Sequence, residues 1–174
     1  MPNDFAHKKE KRSWGVNVAW IFLLILIAAF VFGRSFLYPA YVQGNSMAPD
    51  IQAGERLLVY PVHRPQRGDV VIVREAPRDH YYVKRVIATG GDQLRIDRGV
   101  VFVNRRAIDE PYIGAGMRST DSFAEITVPA DSCFVMSDNR WVLEDSREFG
   151  SIKYSWIEGK VWGVYWPLHS RRLM

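Results

Sequence analysis

The chain has 174 residues, of which 48% are hydrophobic, and it carries a formal net charge of +4. This length allows one domain plus an additional segment, and the apolar fraction is sufficient for a packed core. Residues 35–174 hold eighteen Lys/Arg against seventeen Asp/Glu, so most of the chain lacks the broad basic surface of a nucleic-acid-binding protein.

The single cysteine, Cys133, lies in an apolar run. It cannot form an internal disulfide, and a zinc site would need several further Cys or His residues at ligand spacing. We interpret Cys133 as a small buried side chain, and we expect no metal and no organic cofactor.

The N-terminal region contains a long apolar segment, because residues 13–33 carry no charge and follow four basic residues at positions 8, 9, 11 and 12. Such a helix would be about 32 Å long, enough to cross a bilayer. We predict a cytoplasmic tail at 1–12, a transmembrane anchor at 13–34 and an extracytoplasmic domain at 35–174. A cleavable secretory signal is the alternative, although the run is long for one and no clear cleavage site follows. A buried core helix is disfavoured because the segment is apolar on all faces.

After Pro39 the sequence consists of short segments that are rich in β-branched and aromatic residues and are bounded by Gly or Pro. These predicted strands lie at residues 55–62, 69–75, 80–88, 93–97, 100–104, 132–137 and 159–167. Arg98-Gly99 predicts a hairpin turn, and residues 110–122 and 138–151 predict long surface loops. The spacing predicts a mainly β domain, either an antiparallel β-sandwich or a partly open barrel.

Ser46 lies in a loop, "YVQGNSMAPDI", with no histidine within fifteen residues on either side. A serine hydroxyl becomes a good nucleophile only when a neighbouring group takes its proton. None of the four histidines lies in a context that indicates a catalytic triad: His7, His63, His80 and His169. A Ser–Lys pair is the known alternative.

Lys84 is one of three lysines after Arg34 and lies in the middle of a predicted strand. Strand alternation gives it Tyr82 and Val86 as neighbours on the same face, and an amine among apolar groups favours its neutral form. Lowering its pKa from about 10.4 to about 8 would require roughly 3 kcal/mol. The residues alone also allow an exposed Lys84 that keeps an edge strand soluble.

Five segments in chain order resemble the sequence boxes of the bacterial type I signal peptidases of the single-anchor type. They are "GNSMAPDI" (44–51), "RGDVVIV" (67–73), "YYVKRVIATGGD" (81–92), "SDNRWVLEDSREFGSI" (137–152) and "VWGVYWPL" (161–168). The resemblance covers nearly the whole chain. It implies a membrane-anchored Ser–Lys endopeptidase that removes signal peptides from exported preproteins after a small-x-small motif such as Ala-x-Ala, without a cofactor.

The resemblance also implies roles for individual residues. Ser46 would be the nucleophile, Lys84 the general base, and Ser146 would hydrogen-bond the lysine amine and orient it. Met47 would help to wall the pocket around the base. Oxyanion stabilisation would rest on backbone N–H groups, including that of Ser46, because Gly44 stands where some members have a serine.

The same resemblance implies supporting roles for four charged residues. Asp145 and Arg147 would form a structural ion pair beside the site, and Asp138 and Arg140 would support it. The chain departs from the family pattern at Ser137, which replaces a glycine before Asp138.

The expected partners are preprotein signal peptides and membrane lipids, with proximity to the secretion translocon and no nucleic acid. An extended substrate would pair with a strand edge before Ser46 and around Lys84. Trp141 and Trp156 are each expected either to meet the lipid interface or to join the core. The rival functions are a specialised pilin or conjugation peptidase, a self-cleaving repressor-type Ser–Lys protease and a non-catalytic membrane-anchored β module. The repressor type should carry a DNA-binding helix pair where this sequence has the predicted anchor, and the joint presence of Ser46, Lys84 and Ser146 disfavours the non-catalytic module.

Overall fold

The computed structural model of the protein describes residues 11–75 and 80–174, and the chain divides into two units after Leu37. Most of the predicted tail at 1–12 therefore lies outside the described residues. The first unit contains the helix α1 (Lys11–Phe36), which covers the predicted anchor. Its side chains from Val18 to Phe30 are exposed. Within the described ranges, no helix meets the length and apolarity needed to cross a membrane.

The second unit, Tyr38–Met174, is mainly antiparallel β structure. One sheet has eight strands and runs in the order β1-β2-β11-β3-β4-β9-β10, with β12 paired to β11. Its strands are β1 (Tyr38–Tyr41), β2 (Arg56–Tyr60), β3 (Val70–Glu75), β4 (His80–Thr89), β9 (Ser132–Met136), β10 (Ile152–Lys153), β11 (Ile157–Trp166) and β12 (Arg172–Leu173).

A smaller sheet has four strands in the order β7-β6-β5-β8. These strands are β5 (Gln93–Asp97), β6 (Val100–Val103), β7 (Arg106–Ala107) and β8 (Phe123–Thr127). A short helix, α2 (Ser146–Phe149), and 3₁₀ turns at Tyr154–Trp156 and Leu168–Ser170 complete the unit.

The two sheets share a hydrophobic core. Ile87 of β4 and Phe134 of β9 belong to the same buried cluster as Leu94 of β5 and Val101 of β6. A second cluster fills the space under β1, β2 and β11 and includes Met47. Burial of these apolar side chains, at roughly 25 cal/mol per Å², fixes the two sheets against each other.

The mainly antiparallel β fold confirms the prediction from the sequence, and each of the seven predicted strands has a counterpart. The hairpin at Arg98-Gly99 is also confirmed, since both residues have positive φ angles of 46° and 80°, as a two-residue β-turn of this kind requires. The sequence patterns missed β1, β8 and the two-residue strands β7, β10 and β12. β1 was missed because it contains Pro39, and a proline argues against a strand within a sheet. Proline is tolerated here because β1 is an edge strand.

Cys133 lies in β9 with 0% of its surface exposed. Burial raises the pKa of its thiol to about 12, so the thiolate is strongly disfavoured. The interpretation of Cys133 as a small buried side chain is confirmed.

Candidate active site

A groove of about 980 Å³ opens between the chain segment that leads into Ser46 and the first half of β4. The segments 38–47 and 80–84 line its two sides, and Val142 and Glu144 approach it from the loop after β9. Ser46 and Lys84 both line this groove. Residues that lie 38 positions apart in the sequence thus face one space.

Ser46 lies half-buried in a turn between β1 and β2. On one side its carbonyl accepts a hydrogen bond of 2.9 Å from the Asn139 N–H. On the other side Met47 is 1% exposed and packs in the core, and its carbonyl accepts a 2.8 Å bond from the Ile51 N–H. Met47 also lines the groove, as predicted. The serine is therefore held between the core and the loop that follows β9.

Lys84 lies on β4 opposite Val71 of β3 and is only 1% exposed. Its Nζ lies 5.4 Å from the centre of the Tyr82 ring. Burial lowers the pKa of the Lys84 amine to about 8, and the carboxylates of Asp145 and Glu144 oppose this shift. The alternative of an exposed, solubilising Lys84 is contradicted by its burial.

The hydroxyl beside the lysine is not the one that the resemblance indicated. Lys84 Nζ donates a 2.9 Å hydrogen bond to Ser137 Oγ. Ser146 is also fully buried, but its Oγ accepts the Val135 N–H at 3.0 Å. The difference arises because Ser146 begins the short helix α2, whose first turn packs behind β9, whereas Ser137 directly continues β9 along β4.

The predicted ion pair between Asp145 and Arg147 is present, with 2.7 Å between Asp145 Oδ2 and Arg147 Nη2. Asp145 also caps α2 by accepting the Arg147 N–H at 3.0 Å, and it accepts the Ser137 N–H at 2.9 Å. One carboxylate therefore joins the helix start to the residue beside Lys84.

Asp138 and Arg140 each form an ion pair with another residue. Asp138 Oδ2 lies 2.6 Å from Nη2 of Arg85. Arg140 forms a buried ion pair with Glu110. The Arg140 backbone carbonyl also contacts the Asp145–Arg147 pair, since it accepts a 2.9 Å bond from Arg147 Nη1. Each of these buried charges thus has an opposite charge in contact, which buried ions require.

Sequence reasoning missed three residues of this site: Ser137, Arg85 and Glu110. In the sequence Ser137 stands out only as a departure from a glycine. Arg85 follows Lys84 directly, but a buried arginine in a strand carries no local signal of its partner. Glu110 lies in a predicted surface loop yet is 1% exposed. The sequence did not indicate this burial, because its partner Arg140 comes from a distant loop.

Two of the histidines line pockets of the β unit, and each lines a different one. His80 lines the groove at the start of β4, four residues from Lys84, which is about 13 Å along an extended strand. His63 lies in a separate surface pocket beside Lys153. His63 therefore does not line the groove that Ser46 and Lys84 share.

Comparison with known proteins gives consistent matches to one family. The family described as "Signal peptidase, peptidase S26" matches residues 14–166. Signal peptidase I of Bacillus licheniformis is 33% identical over 177 residues, which span 94% of this chain and 94% of that protein. Signal peptidase IB of Staphylococcus aureus is 31% identical over 180 residues, spanning 92% of each.

A solved structure is also similar. Signal peptidase I of Enterococcus faecalis V583 superposes with a TM-score of 0.50 and 26% sequence identity, covering 57% of this chain and 98% of that one. The mainly β fold and these relatives define the chain as a serine endopeptidase. Within this class it belongs to the signal peptidase family, peptidase S26, because the family match covers most of the chain.

Proposed function

We propose that this protein removes N-terminal signal peptides from exported preproteins, with Ser46 as the nucleophile and Lys84 as the general base. Cleavage follows a small-x-small motif of the Ala-x-Ala kind. The observation that carries the proposal is a buried lysine amine with a depressed pKa, which faces the same groove as a serine in a turn. The family membership supports the same reaction.

The chemistry begins with the neutral Lys84 amine. It takes the proton of the Ser46 hydroxyl as the serine oxygen attacks the scissile carbonyl. Backbone N–H groups, including that of Ser46, stabilise the negative charge that develops on the carbonyl oxygen. The lysine then protonates the leaving amine. Water, activated by the same lysine, hydrolyses the acyl-enzyme.

Substrate binding uses the edge strand β1 and the first half of β4. β1 is the first strand of the large sheet, and in the described ladders β4 pairs with β9 from Arg85 onward. The edge of β1 and residues His80–Lys84 of β4 border the groove. An extended peptide could add to such an edge through main-chain hydrogen bonds.

The choice of small residues follows from apolar walls close to the reacting groups. Val42, Met47, Ile72 and Val83 line the groove, and the first three are buried in the core. A large substrate side chain would have to displace these packed groups, which typically costs about 1–3 kcal/mol.

Membrane attachment is part of the proposal, with the N-terminus cytoplasmic, a single anchor at 13–34 and the β unit outside. The support comes from the uncharged run at 13–33, the basic residues before it and the helix α1 across it. Signal peptides themselves reside in the bilayer, so anchoring beside the lipids and near the secretion translocon raises their effective concentration.

The test is cleavage of a model preprotein by the purified full chain in detergent. We expect the wild type to cut after the small-x-small motif, and Ser46→Ala and Lys84→Met to be inactive. Lys153→Met is the matched control, because Lys153 lies on β10 away from the groove, and it should cut at the wild-type rate. Cleavage by Ser46→Ala at the wild-type rate would contradict the mechanism.

A further inference from the structure

We propose that the hydroxyl of Ser137 positions the Lys84 amine toward Ser46, an inference that rests on the proposed function of the groove. Ser137 is a positioning residue in this view, since it acts on the substrate only through the lysine. The role belongs to a residue that the family resemblance did not indicate.

The first observation is the contact itself. Lys84 Nζ lies 2.9 Å from Ser137 Oγ, and the two side chains are 1% and 0% exposed. Water therefore has little access with which to replace this hydrogen bond. A buried amine without a partner would carry an uncompensated desolvation cost.

The second observation is the strand register, which fixes where the hydroxyl lies. β4 and β9 pair antiparallel, with Arg85 opposite Met136. Ser137 directly follows Met136 and Lys84 directly precedes Arg85, so the two residues are adjacent to the last pair of this ladder. Directly opposed residues have Cβ atoms about 5 Å apart, and the end of the ladder therefore brings the serine close to the lysine.

The third observation is that the backbone of Ser137 is held on both sides. Its N–H donates to Asp145 at 2.9 Å, and its carbonyl accepts from Arg140 Nε at 2.9 Å. Asp145 is bound in turn by Arg147, and Arg140 by Glu110. The residue that carries the hydroxyl is thus held between two buried ion pairs. This is the kind of support that a preorganised site requires.

The consequence for the chemistry concerns the lone pair of the neutral amine. That lone pair must point at the Ser46 hydroxyl when the proton moves. A hydrogen bond from one N–H to Ser137 Oγ restrains rotation about the Cε–Nζ bond and leaves the lone pair directed elsewhere, toward the groove. The same oxygen also accepts from the ammonium form, and this charge-assisted bond is the stronger one.

Removal of the hydroxyl should thus have two separate effects. In Ser137→Ala the amine loses its restraint, and kcat should fall about tenfold to a hundredfold, as for small misplacements of a catalytic group. The ammonium loses an acceptor, so the acid limb of the pH–rate profile should move to lower pH. The charged groups around the amine remain unchanged: Asp145, Glu144, Arg147 and Asp138.

The experiment compares the full chain and its serine variants in detergent, on one model preprotein between pH 6 and pH 10. Ser137→Thr keeps the hydroxyl and should restore the wild-type acid limb. Ser146→Ala should leave that limb in place, because its hydroxyl bonds to Val135 N–H. Ser132→Ala is the matched control, since Ser132 is also a buried serine of β9, and it should retain the wild-type rate.

A readout independent of turnover is the titration of Lys84 itself, followed by NMR in the full chain labelled on lysine, which has only six lysines. The Lys84 signal should titrate at lower pH in Ser137→Ala than in the wild type. If Ser137→Ala does not accumulate as folded protein, Ser137→Cys keeps the volume with a weaker acceptor and should show the same shifts at smaller size.

The outcomes distinguish this inference from the function on which it rests. A wild type that does not cleave the preprotein would overturn the proposed function. If the wild type cleaves, Ser46→Ala does not, and Ser137→Ala keeps the wild-type kcat and acid limb, only the positioning role is overturned. That role is likewise overturned if Ser146→Ala, rather than Ser137→Ala, moves the acid limb.

Discussion

Burial of the Lys84 side chain is the property from which the proposed chemistry follows. A lysine with an ordinary pKa of about 10.5 is neutral in only about 0.03% of molecules at pH 7. With the pKa of Lys84 lowered to about 8, roughly 9% of the molecules hold a neutral amine at that pH. The change of environment alone raises the fraction of competent base about 300-fold.

The pH dependence of cleavage tests this property. Because only the neutral amine accepts the proton of Ser46, kcat/KM should rise with pH through about 8, where Lys84 titrates. Below pH 8 it should fall about tenfold per unit, so that the rate at pH 6 is about a hundredfold below the plateau. The measurement is the pH–rate profile of preprotein cleavage from pH 5 to pH 10. An unchanged rate from pH 9 to pH 5 would exclude Lys84 as the base.

Among the elements, β4 serves two purposes in its two halves. Its second half pairs with β3 and β9 and contributes Val86, Ile87 and Ala88 to the core. Its first half pairs with β3 only in the described ladders and borders the groove. Lys84 lies at the boundary between these halves, where it is buried like a core residue and still faces the groove.

Two long loops are joined by a buried ion pair. Glu110 lies in the loop before β8, and Arg140 lies in the loop after β9. Both side chains are at most 2% exposed. The Arg140 side chain also supports the site, since it donates to the Ser137 carbonyl. The conformation of the loop beside Lys84 thus depends on a residue 30 positions earlier.

Glu110→Gln should destabilise the protein by about 3–5 kcal/mol, because it leaves the Arg140 guanidinium buried without an opposite charge. The measurement is urea unfolding of the full chain in detergent, followed by tryptophan fluorescence. Asp97→Asn is the matched control. Asp97 is half exposed and lies 3.7 Å from Arg95, so its loss should cost at most about 1 kcal/mol. Equal losses in the two variants would show that burial of the Glu110–Arg140 pair contributes nothing to stability.

At the scale of the whole molecule, the chain combines a helix whose described side chains are apolar and exposed with a β unit that has a core of its own. The large apolar side chains of α1 between Val18 and Phe30 expose 43–68% of their surface. A run of exposed apolar side chains on this scale indicates a surface that another apolar medium covers. If α1 is the proposed anchor, that medium is the hydrocarbon core of the bilayer.

Charges introduced into α1 test the anchor. The double variant Leu24→Lys, Leu26→Lys should lose stable membrane attachment, because each lysine near the centre of a membrane helix costs about 3 kcal/mol. The measurement is the fraction of full-length chain that resists extraction of membranes with alkaline carbonate. The control carries Leu168→Lys and Leu173→Lys, two exposed leucines outside α1, and should remain attached. An α1 variant as resistant to extraction as the wild type would contradict the anchor.

Local patterns in the sequence determined much of the fold. Alternating β-branched residues predicted β2, β3, β4, β9 and β11, and Arg98-Gly99 predicted the β5–β6 turn, because these features depend on neighbouring residues alone. Ser46 and Lys84 were singled out by a loop without histidine and a lysine in mid-strand. Their location in one groove agrees with that choice.

Only the tertiary structure decided which side chains meet. The partner of Lys84 is Ser137, 53 residues away, whereas the family resemblance had indicated Ser146. Trp156 packs against the core while Trp141 is 62% exposed, although the sequence allowed either location for both. Strand register and buried charge pairing settle these contacts, because both depend on segments that are distant in the chain and adjacent only after folding.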